Sequence, residues 1–238
     1  YALALNPENT FALFNKANIL SNLGKYSEAM DVYRQIVEEE PDSLEGLTYL
    51  AECYDKTGDE AMARKYYAEA IDITPDFPDP WYGLGLLSLS RNRPAESITP
   101  LKKAIELDPE NPDYWFSLGK AHIMNGNIRE AVRCYIEALI IDGYYDEAWI
   151  ETGIVVMMTG AYRGAIRILK KAAKISGDLP GIYFLLASAY LHTGNMKEAT
   201  RNLVRAIRLD NELLEEYSVL LPEEKLTNAM RRLFRKTN

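Results

Sequence analysis

The chain has 238 residues, a formal net charge of −8 and a hydrophobic fraction of 47%. This length allows one or two globular domains, and the hydrophobic fraction is that of an ordinary folded protein. No run of about 18 or more apolar residues is present, so the composition argues against a membrane-spanning helix in this sequence.

A tryptophan recurs at a fixed interval in the middle of the chain. Trp81, Trp115 and Trp149 follow one another at intervals of 34 residues, and each is followed four residues later by a glycine. A fixed period of this length is typical of stacked two-helix units. The sequence therefore predicts a helical solenoid.

Other positions of the unit repeat with the same period, without an insertion or deletion across six units. Counted from three residues before each tryptophan position, the fifteenth residue is mostly glycine, which suits a turn because glycine adopts the left-handed conformation at little cost. The twentieth and twenty-seventh are mostly alanine, and the thirty-second is mostly proline or glycine. The residues at these four positions are Gly24, Gly58, Asn92, Gly126, Gly160 and Gly194; Ala29, Ala63, Ser97, Ala131, Ala165 and Ala199; Ile36, Ala70, Ala104, Ala138, Ala172 and Ala206; and Pro41, Pro75, Pro109, Gly143, Gly177 and Asn211.

This pattern resembles the tetratricopeptide (TPR) repeat, W-x2-L-G-x2-Y…A-x3-F…P, over nearly the whole chain. The resemblance implies an all-α fold, a right-handed superhelical solenoid of helix-turn-helix repeats. It also implies a protein-interaction scaffold in which the first helices of the units line a concave groove.

Six complete units follow one another, preceded and followed by shorter segments. We place TPR 1 at residues 10–43, TPR 2 at 44–77, TPR 3 at 78–111, TPR 4 at 112–145, TPR 5 at 146–179 and TPR 6 at 180–213. Residues 1–9 have the pattern of the end of a truncated upstream repeat. Residues 214–238 predict a C-terminal capping helix, which a solenoid needs to cover its last apolar face.

The first residue is Tyr1, and no signal peptide is present. We interpret the chain as a piece of a longer array, so the missing signal peptide carries no information on export. We expect a cytoplasmic location.

TPR 3 departs most from the pattern. Asn92 replaces the turn glycine, which asparagine can do because it tolerates the left-handed region. Pro100 lies within the predicted second helix and cannot donate to the carbonyl of Glu96. We therefore expect a kink or a late helix start there.

Helical spacing divides each first helix into two faces. The fourth, seventh, eighth and eleventh positions of a unit cluster on one side and pack, whereas the second, fifth, sixth, ninth, twelfth and thirteenth lie almost opposite. The resemblance implies that the second set faces the groove. From TPR 3 onward this set is mainly apolar, so we expect a partner peptide or helix to bind there. The candidate partner-binding residues are Leu86, Leu89, Phe116, Lys120, Ile123, Met124, Ile150, Ile154, Met157, Met158, Phe184, Leu185 and Leu191.

The same face is polar in the first two units. TPR domains that bind chaperone tails clamp a terminal carboxylate with Lys, Arg and Asn, but Lys120 is isolated here and TPR 2 is acidic, so we do not expect a carboxylate clamp. The polar residues of this face in TPR 1 and TPR 2 include Asn15, Asn18, Glu45, Glu52 and Asp55.

An exposed apolar stripe of this size requires a cover. The cover can be a partner, a second copy of the chain, or the chain's own C-terminal helix. Tight superhelical coiling can also bury these residues against neighbouring first helices. The sequence leaves these alternatives open.

The second helices of TPR 4 to TPR 6 carry a basic stripe. Residues 1–111 have 10 basic and 20 acidic residues, a net charge of −10, whereas residues 112–238 have 17 and 15, a net charge of +2. This asymmetry favours an acidic partner for the C-terminal half or head-to-tail self-association. The stripe contains Arg129, Arg133, Arg163, Arg167, Lys170, Lys171, Lys174, Lys197, Arg201, Arg205 and Arg208.

Two roles other than binding a protein on the groove or on the basic stripe are nucleic-acid binding and a structural role. Nucleic acid is not expected as a partner, because the stripe lacks base-stacking aromatic residues. A structural role as a spacer or oligomerisation module of a larger protein is a further alternative.

The residues needed for catalysis do not occur in a convergent pattern. His122 and His192 are two units apart on different helix faces, and Cys53 and Cys134 form no Cys-x-x-Cys pair. The glycines occupy turn or packing positions of the repeat, so no phosphate-binding loop is predicted. We therefore predict no catalytic, cofactor-binding or metal-binding residue, and a chain that is not an enzyme by itself.

Overall fold

The computed structural model describes residues 10–210 together with Leu221 and Leu226. Over these residues every regular element is an α-helix, which confirms the predicted all-α repeat fold. The helices are α1 (Thr10–Asn22), α2 (Tyr26–Glu39), α3 (Leu44–Thr57), α4 (Glu60–Ile73), α5 (Pro78–Ser90), α6 (Pro94–Leu107), α7 (Pro112–Met124), α8 (Ile128–Ile141), α9 (Asp146–Met158), α10 (Tyr162–Ile175), α11 (Pro180–His192) and α12 (Met196–Leu209).

The helices form two compact units. The first ends at Asn125 and contains α1 to α7; the second begins at Gly126 and contains α8 to α12. Within each unit every helix packs against the next one in the chain. Helices two apart also meet, α3 with α5 and α5 with α7 in the first unit, and α9 with α11 in the second. Each unit is therefore a stack of helices held together by contacts between near neighbours, as in a repeat protein.

The small residues of the repeat lie where helices approach most closely. All twelve residues at the twentieth and twenty-seventh positions of the six units are completely buried. Ser97 takes the place of an alanine there, and its hydroxyl donates to the carbonyl of Pro94 at 2.7 Å. The departure from alanine therefore leaves no buried polar group without a partner.

Helix starts and turns follow the 34-residue period. The helices α3, α5, α7, α9 and α11 begin at residues 44, 78, 112, 146 and 180, which are the first residues of the predicted repeats TPR 2 to TPR 6. Asn92 has a φ of 56°, so it adopts the left-handed conformation that glycine has at this turn in other repeats. The helix α6 begins at Pro94 and continues past Pro100, so of the two alternatives expected from the sequence, a kink or a late start, the late start does not occur.

The three tryptophans make the same hydrogen bond. The indole Nε1 of Trp81 donates to the carbonyl of Pro75 at 2.9 Å, and that of Trp115 donates to Pro109 at 3.0 Å. In the second unit Trp149 donates to Gly143 at 2.9 Å. Each bond ties a first helix to the loop that precedes it, which gives the tryptophan a structural reason to recur.

An ion-pair network joins neighbouring turns in the first unit. Glu60, at the start of α4, pairs with Arg93 before α6 and with Arg64, at 2.8 Å, one turn along its own helix. The hydrogen bond from Arg93 lowers the pKa of Glu60 to about 2. Arg91 pairs with Asp55 of α3 at 3.1 Å. Cations in this region are therefore matched by carboxylates.

We expect Gly153→Ala to destabilise the second unit. A Cβ at Gly153 would lie 2.6 Å from Cδ2 of Leu169, a completely buried side chain, so the leucine side chain or one of the two helices has to shift. Overpacking of this kind costs about 1–3 kcal/mol. Urea denaturation followed by circular dichroism measures the loss.

Gly164→Ala is the matched control in the same unit. A Cβ at Gly164 would lie 3.6 Å from Cγ1 of Val156, an ordinary van der Waals distance. This variant should keep or slightly raise the stability, because alanine favours the helix over glycine. Equal destabilisation by the two substitutions would contradict the close approach of α9 and α10 at Gly153.

Candidate partner-binding surfaces

Six of the predicted partner-binding residues lie on α5 and α7 of the first unit. Leu86 and Met124 expose 37% and 45% of their surface. Lys120 is exposed, and its Nζ lies 5.7 Å from the ring centroid of Phe116, within the range of a cation–π contact. The half-buried members are Leu89, Phe116 and Ile123. This part of the predicted groove therefore offers apolar surface beside one cation.

Four predicted residues lie on α9 of the second unit. Ile150, Ile154 and Met157 are half-buried and pack against the main hydrophobic cluster of that unit. Met158 is 60% exposed. The protein itself thus covers part of this helix face, and Met158 offers its largest apolar exposure.

The remaining three predicted residues are buried, which corrects the expectation that they form an exposed stripe. Phe184, Leu185 and Leu191 of α11 are each 1% exposed. The cluster around them includes Leu221, and Leu226 packs against it. The apolar face predicted for TPR 6 is therefore covered within the chain.

The sequence of α11 contains a signal for this burial. From Pro180 to Leu191 the helix has no charged residue, and every residue from Gly181 to Leu191 is buried. A helix that is apolar on all sides has no solvent face, so it must be enclosed. The predicted capping helix at residues 214–238 lies outside the described residues except for Leu221 and Leu226, so its helical structure stays a prediction.

Glu52 lies on the predicted groove face and has unusual chemistry. Its side chain is exposed, yet crowding by protein atoms and repulsion from Asp79 raise its pKa to about 7, with Lys56 opposing the shift and Asp55 adding to it. The repeat pattern places Glu52 on the predicted groove face, but no feature of the sequence marks it as a site residue.

The raised pKa of Glu52 predicts a dependence of stability on pH. The folded chain keeps this proton after the unfolded chain has lost it at the ordinary value of 4.5, so stability falls as pH rises from 4.5 to about 7. Glu52→Gln removes the charge and should therefore raise the melting temperature at about pH 8, but leave it unchanged at about pH 4. Solvent screening at this exposed group keeps the gain small.

Glu45→Gln is the control for this measurement. Glu45 lies in the first turn of the same helix, where a negative charge favours the helix dipole, so its removal should give no gain. Thermal denaturation followed by circular dichroism at both pH values tests the pair. An equal gain for both variants, or a gain for Glu52→Gln at low pH, would contradict the assigned cause.

The predicted basic stripe divides into paired and unpaired cations. The helix α10 carries five cations and no carboxylate. Within the part of the chain that the structure describes, Arg163, Arg167 and Lys174 of this helix form no ion pair. The pairs found elsewhere in the stripe are Arg133 with Glu130 at 3.1 Å, Arg201 with Glu198 at 2.9 Å, and Arg205 with Asp178.

The two cysteines are free and buried. Burial raises the pKa of the Cys53 thiol to about 11, which disfavours the reactive thiolate.

Residues 10–210, Leu221 and Leu226 contain no group of three His, Cys, Asp or Glu residues placed to hold a metal ion. None of the helices in this range combines the length and apolarity needed to cross a bilayer.

The architecture and the 34-residue period define an α-helical repeat protein. Family profiles described as tetratricopeptide repeat match residues 1–31, residues 116–180, and residues 23–87 with 157–217; a profile described as TPR repeat matches residues 88–126. The profile with two segments alone covers more than half of the chain. The chain belongs to the tetratricopeptide repeat family, whose repeats generally mediate protein–protein interactions.

Known proteins share parts of this sequence and fold. Tetratricopeptide repeat protein 8 of Caenorhabditis elegans is 25% identical over 88 residues, which cover 37% of this chain and 17% of that protein. The chain spans less than two thirds of the length of the curated relatives it matches.

Two solved structures illustrate the shared fold. PilW, a type IV pilus biogenesis factor, has a TM-score of 0.74 at 20% identity, over 90% of this chain and 99% of that one. YrrB, described as a TPR protein with an unusual peptide-binding site, has a TM-score of 0.56 at 20% identity, over 76% of this chain and 93% of that one. At this level of identity the likeness concerns the fold alone.

Proposed function

We propose that this chain is a non-catalytic interaction scaffold that binds a peptide or helix of a partner on the groove face of TPR 3 to TPR 5. The observation that carries the proposal is the exposure of long apolar side chains on first helices: Leu86 at 37%, Met124 at 45% and Met158 at 60%. These side chains lie on the helix face that the packing of the repeats does not use. The assignment of TPR 1 to TPR 6 at the predicted boundaries is part of this proposal.

The chemistry of these residues suits an apolar partner segment. Methionine is unbranched and polarizable, so Met124 and Met158 can adapt to partner side chains of different shapes. Lys120, above the Phe116 ring, adds one positive charge that can orient a partner carboxylate. An amphipathic helix or an extended apolar segment meets both requirements.

The proposed site is smaller than the stripe predicted from the sequence. Phe184, Leu185 and Leu191 are excluded because a partner cannot reach buried side chains. The proposed residues are Leu86, Leu89, Phe116, Lys120, Ile123 and Met124 in the first unit, and Ile150, Ile154, Met157 and Met158 in the second.

A second candidate function is the binding of an acidic partner by the basic outer surface. The cations Arg163, Arg167 and Lys174 favour it, because none of them pairs with a carboxylate of the described residues. A role as spacer or oligomerisation module, self-association and a cytoplasmic location stay predictions.

The test of the groove is affinity purification from a native lysate with the full chain, followed by quantitative mass spectrometry. Leu86→Glu with Met124→Glu should reduce recovery of specific partners about tenfold or more, because charged side chains would replace apolar contacts at the interface. Ile73→Glu is the control, since Ile73 is 43% exposed on α4, a second helix of the same unit. This control should leave recovery unchanged.

A third variant separates the two candidate functions. Arg167→Glu with Arg205→Glu reverses two charges of the outer stripe. Circular dichroism first has to show that each variant is folded. Partners that are lost with the outer variant but retained by the groove variant would reject the groove and support the basic surface.

A further inference from the structure

The second unit contains a cavity of about 360 Å³ formed by α8, α9 and α10. This volume lies at the lower end of the range of about 300–1,000 Å³ that is typical of ligand sites, and it is enough for one or two side chains. The walls include Ile136 and Ile140 of α8, Trp149 of α9, and Arg167, Ile168 and Lys171 of α10.

The apolar wall is a departure from the repeat. Ile140 is 70% exposed and occupies the twenty-ninth position of its 34-residue repeat. The other five repeats have a charged residue at this position: Glu38, Asp72, Glu106, Lys174 and Arg208. The repeat therefore does not require a large aliphatic side chain here, and Ile136, at 43% exposure, lies one helical turn before it. The two exposed isoleucines therefore form an apolar wall that packing within the repeat does not account for.

The opposite wall is cationic. Arg167 and Lys171 are four residues apart on α10, so they lie on the same helix face. Lys171 Nζ is 5.4 Å from the ring centroid of Trp149, which places this charge over the cavity wall. Among the described residues that line the cavity, two are cations and none is an acid. Like charges four residues apart repel, so α10 gains stability when an anion binds between them.

We propose that this cavity binds an acidic segment of a partner protein, with one large apolar side chain against Ile136 and Ile140 and adjacent carboxylates on Arg167 and Lys171. The proposal rests on the interaction role proposed above and deepens the second candidate function. Its isoleucines and cations belong to second helices, and it does not involve the residues of the groove.

The apolar wall and the cationic wall together favour an acidic segment with an apolar side chain over other ligands. A nucleic acid can pair its phosphates with Arg167 and Lys171, but it leaves the two isoleucines uncovered. A neutral apolar segment covers the isoleucines but removes water from two cations without replacing it, which is unfavourable. A segment that combines carboxylates with an apolar anchor satisfies both walls.

The first test uses the full chain and a phage-displayed library of random peptides. The library is first depleted of peptides that bind the Ile140→Lys variant, and the remaining peptides are then selected on the wild type. Lysine is chosen because Lys174 occupies the same position in the next repeat. The enriched peptides should combine an aliphatic or aromatic residue with neighbouring Asp or Glu. Enrichment without acidic residues, or no enrichment over the depleted pool, would overturn the proposal.

The second test measures the affinity of a selected peptide, synthesised with a fluorophore, by anisotropy. Ile140→Lys and Arg167→Gln should each raise the Kd about tenfold or more, and added salt should raise it further. Lys174→Gln is the matched control, since Lys174 lies on the same helix but outside the cavity wall, and it should change the Kd less than about threefold. Equal effects of Arg167→Gln and Lys174→Gln would show non-specific attraction and overturn the site.

Two measurements separate the remaining outcomes. If sedimentation shows a wild-type dimer that Ile140→Lys converts to a monomer, the occupant is a second copy and the proposal is wrong. The groove variant, Leu86→Glu with Met124→Glu, should leave the Kd of the selected peptide unchanged, so failure of the groove and failure of the cavity are distinguishable. Because Ile140 is largely exposed, its substitution should leave the circular dichroism spectrum unchanged.

Discussion

Close contact between consecutive helices is the constraint on which both units depend. The contact requires small side chains, and the alanines at the twentieth and twenty-seventh positions of the repeat are completely buried. Gly153 against Leu169 shows how little space remains, because even one added carbon would meet the leucine. Once these positions are committed to packing, function has to use the faces that point away from the contact.

Two helices of the second unit use apolar side chains on those faces in opposite ways. The helix α11 is apolar on every side, and the protein encloses it with residues that include Leu221. The helix α8 instead leaves Ile140 in solvent, at a position where the other repeats carry charge. An apolar helix face therefore indicates a binding surface only where other residues of the chain do not bury it.

Charge is also distributed in two ways. Near Glu60 the arginines Arg91 and Arg93 pair with carboxylates of neighbouring turns, so their charges stabilise the stack. On α10 five cations stand without a carboxylate in the helix. A paired cation is occupied by the fold, whereas an unpaired cation beside apolar surface is available to an acidic partner. The basic outer surface thus has a different character from the ion pairs of the first unit.

The sequence by itself determined the helical repeat, the close-packed small positions and the left-handed turn at Asn92, because a 34-residue period and helical spacing are local properties of the chain. Which groove residues reach solvent was decided by the tertiary structure. Phe184 and Met158 look alike in the pattern, but only Phe184 is enclosed, since burial depends on residues distant in sequence. The cavity beside Ile140 likewise exists only where three helices meet, and periodicity within a single helix cannot reveal it.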